Sequence, residues 1–368
     1  MKIIVLSSHT QSLFWFRMDM MKSFIANNHT VIAVGSESVD LWGDKFAENG
    51  IKYRQIYVQR NGLNPLADIK TLSSIKEIFK AEKPDKVFAY QAKTIIYGSI
   101  VANNLGITDF YPLVAGLGSI FRGRGLKNSI VKFILRNQYK LACKYSKLVF
   151  FQNKDDKAEF INGYLVTENK TAILNGSGVN LNNFQPAAQP IERAFLFIGR
   201  LIKDKGIMEY LKACEAIKNK YPNVRCLLVG PFDSNPSAMK EEELRPYIEN
   251  NIIEYFGEQK DVRPYLAQCS TFVLPSYHEG TPKTVLEAMA MGRSIITTDA
   301  PGCRETVSHG LNGYLVKVGD ITTLEDAMEK IIQYPNISIK MGQESLILAK
   351  SKYDVNLVNK SIKEYMGL

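Results

Sequence analysis

The sequence predicts an α/β protein of two tandem doubly wound, Rossmann-like domains facing a cleft, and three observations carry the prediction. The chain has 368 residues, 45% hydrophobic and 23% charged, a globular mixture with room for two domains at about 100–200 residues each. Short runs rich in Val, Ile and Phe alternate with helical patterns along the whole chain, as parallel strands covered on both faces require. Residues 176–193 (GSGVNLNNFQPAAQPIER) then lose that periodicity and carry Gly, Asn and Pro, which marks a linker.

In chain order, the first strand series is Lys2–Leu6, Thr30–Gly35, Lys86–Tyr90, Phe110–Val114, Lys147–Phe151 and Thr171–Leu174. Beyond the linker come Ala194–Ile198, Arg225–Val229, Ile252–Phe256, Thr271–Leu274, Ser294–Thr297 and Gly313–Val316. Helical periodicity fills the intervals, for example at Phe16–Ala26, Leu66–Ala81, Met208–Lys220, Thr284–Met291 and Thr322–Gln333. The expected organisation is an N-terminal domain over 1–185, a C-terminal domain over 186–350, and a last helix over 351–368 packing back toward the N-terminal domain.

Composition excludes several classes of function. Five scattered cysteines, with no CxxC pair, and four histidines speak against a zinc site or a disulfide framework and fit a reducing compartment. The opening MKIIVLSS turns polar too soon for a signal peptide and reads as a buried strand. No run approaches the roughly 18 apolar residues of a membrane span. The first strand ends in Ser7-Ser8-His9-Thr10 rather than GxGxxG, which disfavours a dinucleotide cofactor.

Charge is unevenly distributed. Residues 1–185 hold 24 basic and 14 acidic side chains, the rest 22 and 23, so the excess of +9 sits in the first half. Residues 122–147 contain eight basic residues and no acid: Arg122, Arg124, Lys127, Lys132, Arg136, Lys140, Lys144 and Lys147. Lys132, Arg136, Lys140 and Lys144 recur every fourth residue, forming one ridge of a helix whose apolar residues face other directions. Such a helix suits an anionic membrane surface, or it is a solvated face with its apolar side in the core. Nucleic acid is disfavoured because no binding motif accompanies the charge.

The chemistry-bearing segments lie at strand ends. His9 reads equally as a cleft residue that meets substrate or as a hydrogen-bonded loop histidine. Arg17, placed on the first turn of the next helix, either holds an anionic acceptor or caps a surface. In the second half Gly199-Arg200-Leu201 ends a strand and Lys205-Gly206 opens a helix, so two cations five residues apart either converge on a diphosphate at a helix N-terminus or are an ordinary surface Arg and Lys flanking a turn. Then Pro275-Ser276-Tyr277-His278-Glu279-Gly280-Thr281-Pro282-Lys283-Thr284-Val285-Leu286-Glu287-Ala288 runs from strand through loop into helix. Pro282 is suited to its first turn, and the backbone N–H groups of Lys283, Thr284 and Val285 are aimed at an anion. Glu279 and Glu287, eight residues apart, do not form an adjacent pair; each reads as an acceptor for different hydroxyls of one extended ligand, or they are helix-end and solvent-face acids.

Taken together, Gly199-Arg200-Leu201…Lys205-Gly206 and EGTPKTVLEAMAMG, with Glu279 and Glu287, resemble the nucleotide-sugar signature of family 4 retaining glycosyltransferases of GT-B fold. Phe16-Arg17 and Val114-Ala115-Gly116-Leu117-Gly118-Ser119 look like the bacterial branch that extends undecaprenyl-diphosphate-linked saccharides, including N-acetylgalactosaminyltransferases of protein N-glycosylation and O-antigen assembly. The resemblance implies that Arg200 and Lys205 bind the diphosphate of a UDP-sugar, Glu279 its sugar and Glu287 its ribose. It further implies that the Gly280–Val285 backbone, with Thr281, Lys283 and Thr284, holds sugar and phosphate. Gly199 belongs to the same donor site, and Phe256-Gly257 lies near uracil. The same resemblance implies that the loop of Gly116, Gly118 and Ser119 borders donor phosphate and acceptor, with His9, Arg17 and Lys93 on the acceptor side of the cleft. Where many members carry a histidine after the fourth N-terminal strand, this sequence reads Tyr90-Gln91-Ala92-Lys93, making Lys93 the candidate for an anion-binding role.

The implied reaction is transfer of an N-acetylhexosamine, GalNAc in α linkage foremost, without metal, cofactor or enzyme nucleophile, Glu279 being a binder. The implied location is the cytoplasmic face of the inner membrane, as a peripheral protein. A UDP-sugar epimerase, a transferase using UDP-GlcNAc, UDP-Gal or UDP-Glc, and a non-catalytic membrane scaffold are the alternatives.

Overall fold

The computed structural model describes residues 1–59, 64–117, 126–190, 192–233 and 237–368, leaving out the side chains of 126 and 127. The chain divides into two compact units, one of Met1–Ser177 together with Val355–Leu368, the other of Gly178–Asp354. These boundaries differ by a few residues from 185 and 350.

The first unit carries seven parallel strands, β1 (Lys2–Ser7), β2 (Thr30–Gly35), β3 (Lys52–Gln55), β4 (Lys86–Tyr90), β5 (Phe110–Val114), β6 (Val149–Phe151) and β7 (Thr171–Ile173). Their order is β3-β2-β1-β4-β5-β6-β7, so the direction of winding reverses between β1 and β4. Alternation along β1 divides the core: Ile4 and Leu6 join one apolar cluster, Ile3 and Val5 the other. On the first face lie α3 (Pro65–Glu82), α4 (Ala92–Asn104), α5 (Leu126–Tyr145) and α6 (Lys154–Asn162). On the second lie α1 (Thr10–Ala26) and α2 (Val39–Ala47).

Two departures from the sequence pattern have physical causes. Strand β3 was not expected, because in Lys-Tyr-Arg-Gln only Tyr53 is buried and an edge strand needs no apolar run. Helix α1 starts six residues before Phe16, since Thr10, Ser12, Leu13 and Arg17 all face inward.

The second unit has β8 (Ala194–Ile198), β9 (Arg225–Val229), β10 (Glu254–Tyr255), β11 (Thr271–Leu274), β12 (Ser294–Thr298) and β13 (Gly313–Val316), all parallel. The order β10-β9-β8-β11-β12-β13 reverses between β8 and β11. Helices α7 (Ile207–Lys220), α8 (Glu241–Glu249), α9 (Arg263–Gln268), α10 (Lys283–Ala290), α11 (Ile321–Gln333) and α12 (Pro335–Lys352) cover it.

The last helix, α13 (Val355–Met366), belongs to the first unit, where Val358, Ile362 and Met366 enter the cluster formed by Leu13, Met20, Met21 and Phe24 of α1. Lys363 Nζ donates to Asn27 Oδ1 at 3.2 Å just beyond α1.

Candidate active site

In open parallel sheets, ligands collect outside the carboxyl ends of the strands where the winding reverses. In the second unit that place is the end of β8 beside the end of β11. Gly199 and Arg200 follow β8, a 3-10 turn over Lys203–Lys205 leads to α7, and Pro275–Glu279 follow β11. Gly206, at φ +75°, packs so tightly on this loop that a Cβ would lie 2.1 Å from the Pro275 carbonyl oxygen, so only glycine brings the two segments together.

The loop is tied down by its own polar groups. Tyr277 N–H donates to Asp204 O at 3.0 Å and Glu279 N–H to Pro301 O at 2.9 Å. Lys205 forms an ion pair with Glu279 Oε1, which lies 2.8 Å from Ser276 Oγ. Tyr277 Oη donates to Glu209 Oε1 at 2.7 Å, fixing the loop to α7. Lys205 and Glu279, 74 residues apart in sequence, are thus in direct contact.

Arg200 is half exposed and donates from Nη1 to Asp233 Oδ2 at 2.8 Å, a pairing that no local sequence pattern marks. Helix α10 begins at Lys283 with Pro282 as its N-cap residue, one position outside the expected first turn. The Val285 N–H already donates to Pro282 O at 3.1 Å, so it is not aimed outward as the sequence suggested. Glu287, on the second turn, is buried, and this desolvation pushes its carboxyl up to about 7 against a smaller opposing pull from Lys283.

At the far edge, Phe256 continues the ladder by donating its N–H to Leu228 O at 2.9 Å. Gly257, at φ +66°, accepts from Gly230 N–H at 2.8 Å. The Phe256 ring lies against Tyr265 with centroids 4.8 Å apart, and Phe232 meets Tyr255 edge-on at 5.9 Å, so aromatic side chains line this end.

In the first unit the reversal falls at Ser7–Thr10 beside Tyr90–Ala92. His9 Nε2 lies 4.0 Å from Glu37 Oε1 at the start of α1. Arg17 departs from expectation: it lies beyond the first turn, is 4% exposed, and stacks over Tyr90 and Phe88 with its Cζ 5.1 and 5.7 Å from the ring centroids. It therefore caps no surface, and burial lowers its affinity for the proton. Lys93 is already paired with Asp68 of α3 at 2.8 Å. Gly116 has φ +94°, whereas Gly118 and Ser119 lie outside the described residues.

The basic segment is also changed by the structure. Arg122, Arg124 and the side chain of Lys127 lie outside the described residues. Lys132, Arg136, Lys140 and Lys144 do share α5, but Arg136 turns to Glu159 (2.9 Å) and to the Gly163 carbonyl (3.2 Å). The apolar residues do not all face the core: Ile130, Phe133, Ile134 and Leu141 are exposed. Ile130-Ile134-Asn137-Leu141 and Phe133-Asn137-Lys140-Lys144 both follow i, i+4, i+7, i+11, so apolar and cationic side chains share one outward face. Beside it, a largely apolar groove of about 620 Å³ is lined by Leu141, Tyr164, Leu165 and Val166 and edged by Lys140, Lys144 and Lys170.

Among the described residues no helix is long and apolar enough to cross a membrane, and no three His, Cys, Asp or Glu side chains cluster as metal ligands.

Comparison with known proteins agrees with this architecture. Residues 2–153 match the family model described as glycosyl transferase 4-like, and residues 192–334 the model described as glycosyl transferases group 1. The chain is 28% identical to the N,N'-diacetylbacillosaminyl-diphospho-undecaprenol alpha-1,3-N-acetylgalactosaminyltransferase of Campylobacter jejuni, over 97% of this chain and 96% of that protein. It is 25% identical to the UDP-Gal:alpha-D-GlcNAc-diphosphoundecaprenol alpha-1,3-galactosyltransferase of Escherichia coli, over 72% and 71% respectively. The crystal structure of Anabaena HepE in complex with UDP superposes with a TM-score of 0.80 at 17% identity, covering all of both chains. Two doubly wound units matched in turn by these two models show that the chain belongs to the group 1, family 4-type glycosyltransferases, with the GT-B fold.

Proposed function

We propose that this hexosyltransferase moves an N-acetylhexosamine, GalNAc in α linkage foremost, from its UDP conjugate to a saccharide carried on undecaprenyl diphosphate, with retention of configuration. The observation that carries the reading is the Lys205–Glu279 pair beside Arg200 where the second sheet reverses. Support for the acceptor comes from the Campylobacter jejuni relative, which aligns over nearly its whole length and is named for a diphospho-undecaprenol substrate.

In this reading Arg200 exchanges Asp233 for a phosphate oxygen, and Lys205 shares its charge between Glu279 and the diphosphate. Two preorganised cations then stabilise the negative charge that develops on the departing UDP, without metal or cofactor. Glu279 has one oxygen held by Lys205 and Ser276, which fixes it as a hydroxyl acceptor for the donor sugar and blunts it as a nucleophile. The UDP oxygen itself takes the acceptor proton on the face it leaves. Glu287 meets the ribose, Gly199 and the Gly280–Thr284 backbone hold phosphate and sugar, and the Phe256-Gly257 end receives the uracil. His9, Lys93 and the segment from Gly116 through Ser119 belong to the acceptor side.

Helix α5 adds a membrane-surface role at the cytoplasmic face of the inner membrane. Its exposed apolar stripe suits the headgroup boundary, and each neighbouring lysine adds about 1 kcal/mol near anionic lipid.

A panel of radiolabelled UDP-sugars, offered with undecaprenyl-diphosphate-linked N-acetylhexosamine and followed by linkage analysis, tests the reading. The expected product is α-linked GalNAc on the lipid. Absence of UDP affinity by calorimetry overturns the donor assignment, and a new sugar nucleotide formed without acceptor identifies an epimerase instead.

A further inference from the structure

Where the first sheet reverses, one side chain bridges the two loops that meet there. Gln91 follows β4 and precedes α4, with φ 73° and ψ 142°, a backbone region in which glycine is at ease and a side chain is strained. Its carboxamide oxygen accepts from the Ser8 N–H at 2.9 Å, lies 3.0 Å from Ser7 Oγ, and accepts from Ser8 Oγ at 2.5 Å. Because a backbone N–H only donates, the first of these bonds fixes which end of the amide is oxygen. The Nε2 group is thereby turned away from the Ser7–Ser8 loop, and it makes no hydrogen bond among the described residues. Gln91 itself is half-buried, so this amide end is neither packed into the core nor loose on the surface.

The cations and acids already assigned to the UDP-sugar all lie in the second unit, which leaves the reversal point of the first unit to the acceptor. The charged groups nearest to it are largely engaged: Lys93 is paired with Asp68, and Arg17 is buried under Tyr90. A neutral, oriented pair of N–H donors is what a sugar hydroxyl or an acetamido carbonyl needs for recognition without competing for the diphosphate.

We infer that Gln91 is an acceptor-binding residue, its Nε2 group donating to an oxygen of the acceptor saccharide while its Oε1 is anchored on Ser7 and Ser8. The inference rests on the proposed transfer to a lipid-linked saccharide and adds a specificity-determining contact to it.

Two variants test it in the full chain. Gln91→Glu keeps an oxygen for Ser7 and Ser8, removes the Nε2 donors and adds a negative charge, whereas the neutral Gln91→Gly accepts the backbone geometry and removes the side chain without that charge. Both are expected to lower kcat/KM for the lipid-linked acceptor by about tenfold or more while UDP affinity by calorimetry stays at the wild-type value. Wild-type kcat/KM in Gln91→Gly, measured with the melting temperature retained, overturns the inference. So does a fall in UDP affinity that matches the fall in kcat/KM, since that outcome places Gln91 on the donor side. Should wild-type protein bind UDP yet transfer no sugar to the lipid-linked saccharide, the acceptor reading itself fails, a result distinct from either variant outcome.

Discussion

The Lys205 ammonium already faces a carboxylate, so in the proposed reading an incoming diphosphate competes with Glu279 for it. Arg200 stands in the same relation to Asp233, and this pairing keeps both cations positioned rather than extended into solvent. Arg200→Ala or Lys205→Ala should lower turnover by about 100-fold or more, the scale of losing one preorganised donor, and steady-state kinetics with a UDP-sugar will read it. Glu287 makes a different prediction. Burial raises its carboxyl from the ordinary 4.5 to about 7, so the folded chain keeps a proton that the unfolded chain has released. Its contribution to stability is complete below about pH 4.5 and is lost as pH rises through about 7. Gln cannot ionise, so Glu287→Gln should match wild type at pH 4.5 and exceed it at pH 8 by up to about 3 kcal/mol in denaturant unfolding, while binding UDP more weakly. Arg200, Lys205, Glu279 and Glu287 were legible in the sequence as candidates because short spacings and strand ends mark them. Asp233 and Asp68 were not, since their ion pairs close loops of 33 and 25 residues that no local pattern encodes.

Helices and strands were legible where periodicity or a continuous apolar run defined them, and obscure where burial depends on a neighbour. Ala194–Ile198 and Thr271–Leu274 form as expected because central parallel strands are buried at every position and are therefore almost wholly apolar. Arg17 was misplaced because the hydroxyls of Thr10 and Ser12 read as loop although they turn inward at the start of α1. The outward face of α5 was equally hidden, since a helical wheel shows which residues share a stripe and not which stripe meets solvent. Exposure of Phe133 and Ile134 beside Lys140 and Lys144 now selects the residues to change, and it removes Arg136, whose bond to Glu159 is structural. The combined variant Phe133→Ser, Lys140→Glu and Lys144→Glu should lose co-sedimentation with phosphatidylglycerol vesicles and keep its activity on a short-chain soluble acceptor. Undiminished co-sedimentation would refute a docking role for this helix.

For the whole molecule, the excess positive charge of the first 185 residues and the near-neutral remainder fall largely on different units, so charge and fold divide the chain at nearly the same place. The first unit is discontinuous, being finished by a segment that follows the second. Val358, Ile362 and Met366 fill its core against α1, and burying such side chains is worth roughly 1.5–3 kcal/mol each. Removing residues 355–368 should therefore cost the first unit several kcal/mol. Hydrogen exchange is expected to accelerate in β1 and β4 while β8, β11 and β12 keep their protection. The same discontinuity bears on how the chain is made. A ribosome that has just added Asp354 has delivered every residue of the second unit, yet the first, though begun at the N-terminus, still lacks the helix that closes one face of its sheet. Synthesis therefore reverses the usual order of maturation, and of the two units the one translated earlier is sealed later.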